Sequence, residues 1–286
     1  MKQAGLILLI IITFVGFILP QTDEHIIRVM TLNIRCAACE QESDINHWSK
    51  RKYLVAELIE KYNPDIIGLQ EAEKRQIDDL FDLLDGYEWI GVGRDDGKET
   101  GEYNAIFYKV GRFSIAQTKT FWLSETPEVP SKGWDAAFNR TVTIAEIEDK
   151  QASKHFYFFN THFDHVGETA KLESAKLILN EIKILNENFP LVLTGDFNST
   201  PGSEPYKQVI SDSVLSNAEE ISEQPHFGGI VTFNGFGKTM SVGNTIDYIF
   251  VNDKVKVLSH GTITDMFDDN YPSDHYPVLA EIVLKY

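Results

Sequence analysis

Cysteine is scarce in this sequence, and there is no surplus of positive charge. Two cysteines occur, at positions 36 and 39, so no disulfide framework can replace a hydrophobic core. Lysine and arginine total 26 against 43 aspartates and glutamates, a formal net charge of −17. That balance argues against a broad basic face gripping long duplex nucleic acid. It does not exclude phosphate chemistry, because a bound metal can invert the field of a single cleft. Collagen-like repeats, heptad runs and low-complexity tracts are missing, and after residue 25 so is any Pro/Gly/Ser linker. One domain is therefore expected, and 286 residues with 43% hydrophobic content suffice for a large core.

One long apolar run is present. Lys2 precedes almost unbroken apolar sequence over residues 4–19, and Pro20 with QTDEH ends it sharply. Residues 1–24 are expected to be an export signal. An uncleaved membrane anchor is the alternative, because no A-x-A site precedes the polar flank. The folded body is then residues 25–286, periplasmic or extracellular. Cys36 and Cys39 stand in CAAC, after a strand-like run and before the polar EQESDIN. A redox motif would need a βαβ context, so a local disulfide or two unpaired thiols is the expectation. Zinc is disfavoured because no second ligand pair follows.

Strand-like and helix-like segments alternate at first. Residues 26–34 are β-rich, Leu54, Leu58, Ile59 and Tyr62 fall at helical spacing, and residues 66–70 form a short apolar strand. Ile77, Leu80, Phe81 and Leu84 mark a second amphipathic helix. Strands are then predicted over 89–92, 104–109, 113–123, 141–147 and 155–160, a helix over 168–185, and strands over 191–194, 246–251, 255–264 and 278–284. Many strands with few helices predict two sheets face to face with helices outside.

Several of these strands end abruptly in residues able to bind metal or move protons. They give Asn33 in TLNIR, Glu71 in IIGLQE, His162, Asp164 and His165 in NTHFDH, and Asp196 and Asn198 in TGDFN. Asp247 opens the strand after Ile246, and Asp274 with His275 precedes the last strand. Asp196 and Asn198 are two apart, so an extended chain points both to one side. Carboxylate, amide and imidazole groups gathered at strand ends suit Mg²⁺ or Mn²⁺ better than zinc. Arg140 can pair with phosphate. Tyr103, Trp122 and Trp134 lie near loop ends, where they could stack on a base or sugar, and Asp164 and His165 could read a leaving-group hydroxyl.

The order of TLNIR, IIGLQE, NTHFDH, TGDFNS, IDYIF and SDHYPV resembles the endonuclease/exonuclease/phosphatase superfamily. The match spans residues 31–278. NHWSKRK, TFWLSETP and NTHFDH are similar to a bacterial, often exported branch related to the deadenylase-like group. The resemblance implies a DNase I-like α/β fold, a four-layer α/β/β/α sandwich of two mainly antiparallel sheets. It implies a Mg²⁺- or Mn²⁺-dependent phosphoesterase with Glu71 as main metal ligand, Asn33 close by and Asp274 adding a carboxylate. By the same resemblance Asp196 positions or deprotonates the attacking water, Asn198 contacts phosphate, and His275 is a catalytic histidine oriented by Asp247. His162 hydrogen-bonds a phosphate oxygen or assists the leaving group. The acidic charge favours a small phosphoester or single-stranded nucleic acid over long duplex DNA. Membrane contact is expected only through an N-terminal anchor, and the protein is expected to be a monomer. A sphingomyelinase-like lipid hydrolase and a non-catalytic binding module on the same scaffold are the competing readings.

Overall fold

The computed structural model describes residues 25–185, 188–239 and 244–285. The expected export signal or anchor lies outside them. No helix among the described residues is long and apolar enough to cross a membrane.

In chain order the elements are β1 (Ile27–Asn33), α1 (Trp48–Tyr62), β2 (Ile66–Ala72), α2 (Lys74–Leu83), β3 (Tyr87–Ile90), β4 (Tyr103–Lys109), β5 (Phe113–Trp122), β6 (Thr141–Asp149) and β7 (Lys154–His162). They continue with α3 (Glu168–Ile184), β8 (Leu191–Asp196), α4 (Glu204–Val209), β9 (Ser216–Asn217), α5 (Ala218–Ile221), β10 (Phe227–Gly228), β11 (Asp247–Val251), β12 (Val255–Thr262) and β13 (Val278–Leu284). One sheet runs β10-β12-β13-β1-β2-β4-β3 and the other β5-β6-β7-β8-β11-β9. The pairs β1–β2, β7–β8 and β10–β12 are parallel and the rest antiparallel.

Side chains alternate faces along a strand, and here both faces are buried. Ile27 and Val29 of β1 join Phe156 and Phe158 of β7 and Val192 of β8 in a core between the sheets. Met30 and Leu32 turn the other way, onto α1 and α2. Tyr157, Phe159, Leu191 and Leu193 turn onto α3 and α4. Helix, sheet, sheet and helix thus stack in four layers, as the sequence resemblance implied, and burial of both faces explains why the central strands read as unbroken apolar runs.

Local signals set several boundaries. Asn63, in the left-handed region at φ 48°, ends α1, and a reciprocal Glu73–Gln76 capping box starts α2. The strand expected over 89–92 instead begins at Tyr87. It cannot extend past Ile90 because Gly91 sits at φ 142°. Helices α4 and α5 went unpredicted, since neither is long enough to show an amphipathic period.

Candidate active site

At one end of the sandwich the faces between the sheets change from apolar to polar, strand by strand. On β1 the inward positions run Val29, Thr31, Asn33. On β7 they run Phe158, Asn160, His162, and on β8 Val192, Thr194, Asp196. Registers align them: His162 sits opposite Asp196 and Asn160 opposite Thr194 in the β7–β8 pair, and Asp247 lies opposite Asp196 in β8–β11.

The middle tier is a buried hydrogen-bond network linking the two sheets. Asn160 Nδ2 donates to the carbonyls of Leu69 (2.8 Å) and Ala105 (2.9 Å). Its Oδ1 accepts from Gln70 Nε2 (2.7 Å) and Thr194 Oγ1 (3.2 Å). Gln70 Nε2 also reaches Thr31 Oγ1 at 3.0 Å. A Cβ on Gly68 would lie 2.4 Å from Thr194 Oγ1 and 2.6 Å from Asn160 Oδ1, so glycine is what leaves room for this bridge. Asn160, Gln70, Thr31 and Thr194 are fully buried; every side-chain amide nitrogen and hydroxyl of the set is engaged, with Gln70 Oε1 the one atom left without a partner, and buried networks of this kind favour a unique register.

The upper tier carries the reactive groups. Asn33 Nδ2 donates to Glu71 Oε1 and to Asp196 Oδ2, both at 3.0 Å, while Asn33 Oδ1 accepts from the Arg35 amide. Asn33 therefore braces two carboxylates, and its own oxygen is already engaged. Asp196 Oδ1 accepts from the Asn198 amide at 2.9 Å. Asn198 Nδ2 approaches His162 Nε2 at 3.1 Å and donates to the Phe163 carbonyl. His275 Nδ1 lies 2.9 Å from Asp247 Oδ2, and its Nε2 lies 3.8 Å from Asp196 Oδ2. Asp274 pairs with Arg35 Nη1 at 2.7 Å. Three of these residues hold left-handed backbone without being glycine: Arg35 (φ 57°), Glu71 (φ 60°) and Asn198 (φ 45°). Glu71 lies within the register shift of β2 against β4, so the bulge aims its side chain away from the ladder. Strained positions of this sort cluster at functional sites.

These groups open on a cleft of about 570 Å³ lined by Glu71, His162, Asp196, Asn198, Asp274 and His275 together with Arg35, Arg94, Glu102, Phe138, Arg140 and His165. Its electrostatics separate the two histidines. Burial, reinforced by Arg140 and Arg94, holds the His162 imidazole well below its ordinary pKa. Burial opposes charge on His275 too, but Asp247, Asp196 and Asp274 more than offset it and push the ring up to about 10. Burial, together with the Asp247 charge, pushes the Asp196 carboxyl up to about 7. The site thus offers a neutral histidine, a cationic histidine and a carboxyl able to take a proton near neutral pH. Glu71, His162 and Asp196 also place one ligand atom each within 4.8 Å of one another, close enough to share a metal ion.

Three expected substrate-binding residues do other work. Tyr103 is buried, and its hydroxyl donates to the Lys98 carbonyl at 3.0 Å. Trp122 is also buried, and its Nε1 donates to the Arg94 carbonyl at 2.6 Å. Both rings hold the 94–102 loop instead of facing the cleft. Asp164 is fully buried, accepts from the Val166 and Gly167 amides and pairs with Arg140 Nε at 3.3 Å. Those amide bonds and Arg140 outweigh burial and hold its carboxyl well below the usual range, and it positions Arg140 rather than substrate. Arg140 and His165 do line the cleft, 3.1 Å apart.

Sequence reasoning missed Arg94, Glu102 and Phe138. Arg94 and Glu102 bound one loop and pair at 2.5 Å. Half-exposed Phe138 stacks on His165 and lies under the Arg94 and Arg140 guanidiniums. Opposite charges bracketing a Gly/Asp-rich loop were the available signal for the first two. Cys36 and Cys39 form a disulfide at the cleft rim. The amide of Cys36 donates to Glu71 Oε2 at 3.0 Å, and those of Ala37 and Ala38 donate to Gln76 and Glu73. The small ring thereby holds the segment that carries Glu71.

A four-layer sandwich with this row of strand-end residues defines a phosphoesterase scaffold, and the chain belongs to the endonuclease/exonuclease/phosphatase family, whose model matches residues 30–275. Among solved structures it is similar to the mannosyl-6-phosphatase of Bacteroides thetaiotaomicron, with 38% identity, TM-score 0.86, and coverage of 90% of this chain and all of that one. It is equally similar to a family member from Bacteroides vulgatus, with 38% identity, TM-score 0.87, and coverage of 92% of this chain and all of that one. Among curated sequences, the Ccr4 3'-5'-exoribonuclease subunit of the Candida albicans CCR4-Not complex is 24% identical over 83% of this chain, which spans 38% of that protein.

Proposed function

We propose that this protein is an exported, divalent-metal-dependent hydrolase of small phosphoesters, with sugar phosphates as its substrate class. The observation that carries the reading is the convergence of Glu71, His162, Asp196, Asp274 and His275 on one cleft.

The residues fit a hard divalent cation. Glu71, Asp196 and Asp274 bring carboxylates to a shared space, and the Asp196 carboxyl, raised first by burial and then by the Asp247 charge, is one that a cation would favour in its ionised form. Glu71 with Asp196 and Asp274 would hold Mg²⁺ or Mn²⁺, which would neutralise charge on phosphoryl oxygens and lower the pKa of an attacking water. Asp196 accepts the proton of that water. His275, kept cationic by Asp247, donates to a phosphoryl oxygen as charge builds there. Asn198 is a neutral donor that can approach the same group without repulsion by exchanging its His162 contact for a phosphoryl oxygen, which also frees His162 Nε2. His162, held neutral, hydrogen-bonds on the leaving-group side. Arg94 Nε and Arg140 Nη1 are buried without a hydrogen-bond partner, the kind of donor that phosphate oxygens satisfy.

A compact substrate follows from the charges around the cleft. Arg35, Arg94 and Arg140 are each tied to a carboxylate, so no free basic track leads away along a polynucleotide. The 38% identity to a mannosyl-6-phosphatase supports the same class. Half-exposed Phe138 supplies an apolar floor for a sugar ring. Residues 1–24 and the Cys36–Cys39 disulfide support export, since such bonds persist outside the reducing cytosol. The reading includes a monomer with no membrane contact beyond that leader.

The test is a substrate panel with Mg²⁺ or Mn²⁺: hexose 6-phosphates, a generic phosphodiester, single-stranded RNA and sphingomyelin. Preference for a hexose 6-phosphate by kcat/KM supports the proposal. Preference for RNA would move the protein to the nuclease side of its family, and preference for sphingomyelin would make it a lipid hydrolase.

A further inference from the structure

A second cluster of metal-ligating side chains lies away from the cleft. Glu219 on α5, His226 just before β10 and His260 on β12 each place one ligand atom within 4.8 Å of the others. None of the three lines the cleft. His226 Nδ1 lies 2.9 Å from His260 Nδ1 and 3.7 Å from Glu219 Oε1.

The proton count at this cluster is unusual. His226 Nε2 lies 2.7 Å from the Gly229 carbonyl oxygen. A carbonyl only accepts, so Nε2 carries the hydrogen and a neutral His226 leaves Nδ1 as a bare electron pair. That lone pair faces both a carboxylate oxygen and a second imidazole nitrogen. The His260 ring is buried, and two Nδ1 atoms 2.9 Å apart share a single hydrogen, which the bare His226 lone pair leaves on His260. Three electron-pair donors therefore converge with one proton among them, that of His260 Nδ1. A borderline cation satisfies all three once that proton moves to His260 Nε2. The backbone bond at His226 Nε2 is the partner that orients a metal-bound imidazole. Tetrahedral coordination at about 2.0–2.2 Å per ligand needs donor separations of roughly 3.3 Å, and the two separations made by His226 Nδ1, 2.9 Å to His260 and 3.7 Å to Glu219, bracket that value.

We propose that Glu219, His226 and His260 form a Zn²⁺ site separate from the catalytic cleft. Three protein ligands leave a fourth position for water, on the side where Glu219 is partly exposed. Two imidazoles and one carboxylate select zinc over magnesium, so the two sites sort metals by donor type. Its role is mechanical. Asn217 fixes α5 by accepting the Glu219 amide and donating to Tyr206, while the Glu223 and Gln224 amides bond the Val257 and Leu258 carbonyls of β12. The ion closes this strap and pins β10 at the sheet edge.

The test is calorimetric titration of the full chain with ZnCl₂ in excess Mg²⁺, alongside thermal melts with and without Zn²⁺. Wild type is expected to bind one Zn²⁺ equivalent that His226→Ala and His260→Gln lose, and that Glu219→Gln weakens at least tenfold. Zn²⁺ should raise the wild-type Tm and leave that of His226→Ala unchanged. Glu219→Gln, altering a partly exposed side chain, guards against loss of fold in the histidine variants. Equal Zn²⁺ stoichiometry and affinity in wild type, Glu219→Gln and His226→Ala would overturn the site. So would histidine ¹⁵N shifts showing a His226 imidazolium at pH 7.5 that Zn²⁺ leaves unchanged.

Discussion

Asn160→Ala tests the tier beneath the active site. The Asn160 side chain makes four hydrogen bonds, three that cross to the other sheet at Leu69, Ala105 and Gln70 and one to Thr194 on the neighbouring strand. A typical bond contributes about 1 kcal/mol net, and a buried group left without a partner costs about 1–3 kcal/mol. Gln70 and Thr194 retain other partners at Thr31 and the Phe159 carbonyl, so the loss falls mainly on the two carbonyls. The sum is about 3–5 kcal/mol, against a total stability of roughly 5–15 kcal/mol for a typical domain. Urea unfolding by tryptophan fluorescence measures it, with an unchanged m-value marking a true stability change. Activity should fall as well, because Asn160, Thr194 and Thr31 sit two residues before His162, Asp196 and Asn33 on the same strands. A double cycle with Thr194→Val should give a coupling above about 0.5 kcal/mol. A loss below about 1 kcal/mol together with zero coupling would refute the view that this network supports the site.

Metal-free protein should be more stable in mild acid than in base. The raised Asp196 binds a proton in the native state that the unfolded chain has already lost, so its contribution disappears as pH rises through about 7. The raised His275 contributes fully below its ordinary value near 6.5, and that contribution is lost as pH rises through about 10. Melts in EDTA from pH 5.5 to 9 should therefore show Tm falling with pH, with Mg²⁺ restoring most of the loss at pH 8; a Tm rising with pH would contradict both shifts. Asp247→Asn removes the carboxylate that keeps His275 cationic, and the His275 titration followed by NMR should move down from about 10, while an unmoved titration would remove Asp247 from that role. Cys36→Ser/Cys39→Ser should cost about 2 kcal/mol or less, the loop being so short. It should lower activity modestly through Glu71, whereas complete loss of activity would favour a redox role for the pair.

The strand ends were legible because each is an apolar run bounded by a residue no core accepts unpaired: Asn33, His162 and Asp196 at the last position, Asp247 at the first. The same alternation held a signal that went unread. T-x-N, N-x-H and T-x-D in β1, β7 and β8 place a bridging residue one pleat below each site residue. Tyr103 and Trp122 misled because an aromatic beside a loop has the same sequence appearance whether it stacks on a ligand or holds the loop from beneath. Arg94 and Glu102 offered only opposite charges bracketing a loop as a signal, and Phe138 offered none. They come together with Arg140 and His165 at the cleft only in the folded chain, and no periodicity records that meeting. The Glu219, His226 and His260 cluster was hidden likewise, its members spread over a short helix, a connecting segment and a strand.

The measurement that tests the central claim most directly is phosphoester hydrolysis with Mg²⁺, with Mn²⁺ and with EDTA, on wild type beside Glu71→Ala and His275→Ala. Turnover that requires the metal and falls by about 10²–10⁴ in His275→Ala, with a comparable or larger loss in Glu71→Ala and both variants folded, is the predicted result. Turnover that survives EDTA, or that survives both substitutions, would place the chemistry elsewhere and contradict the account.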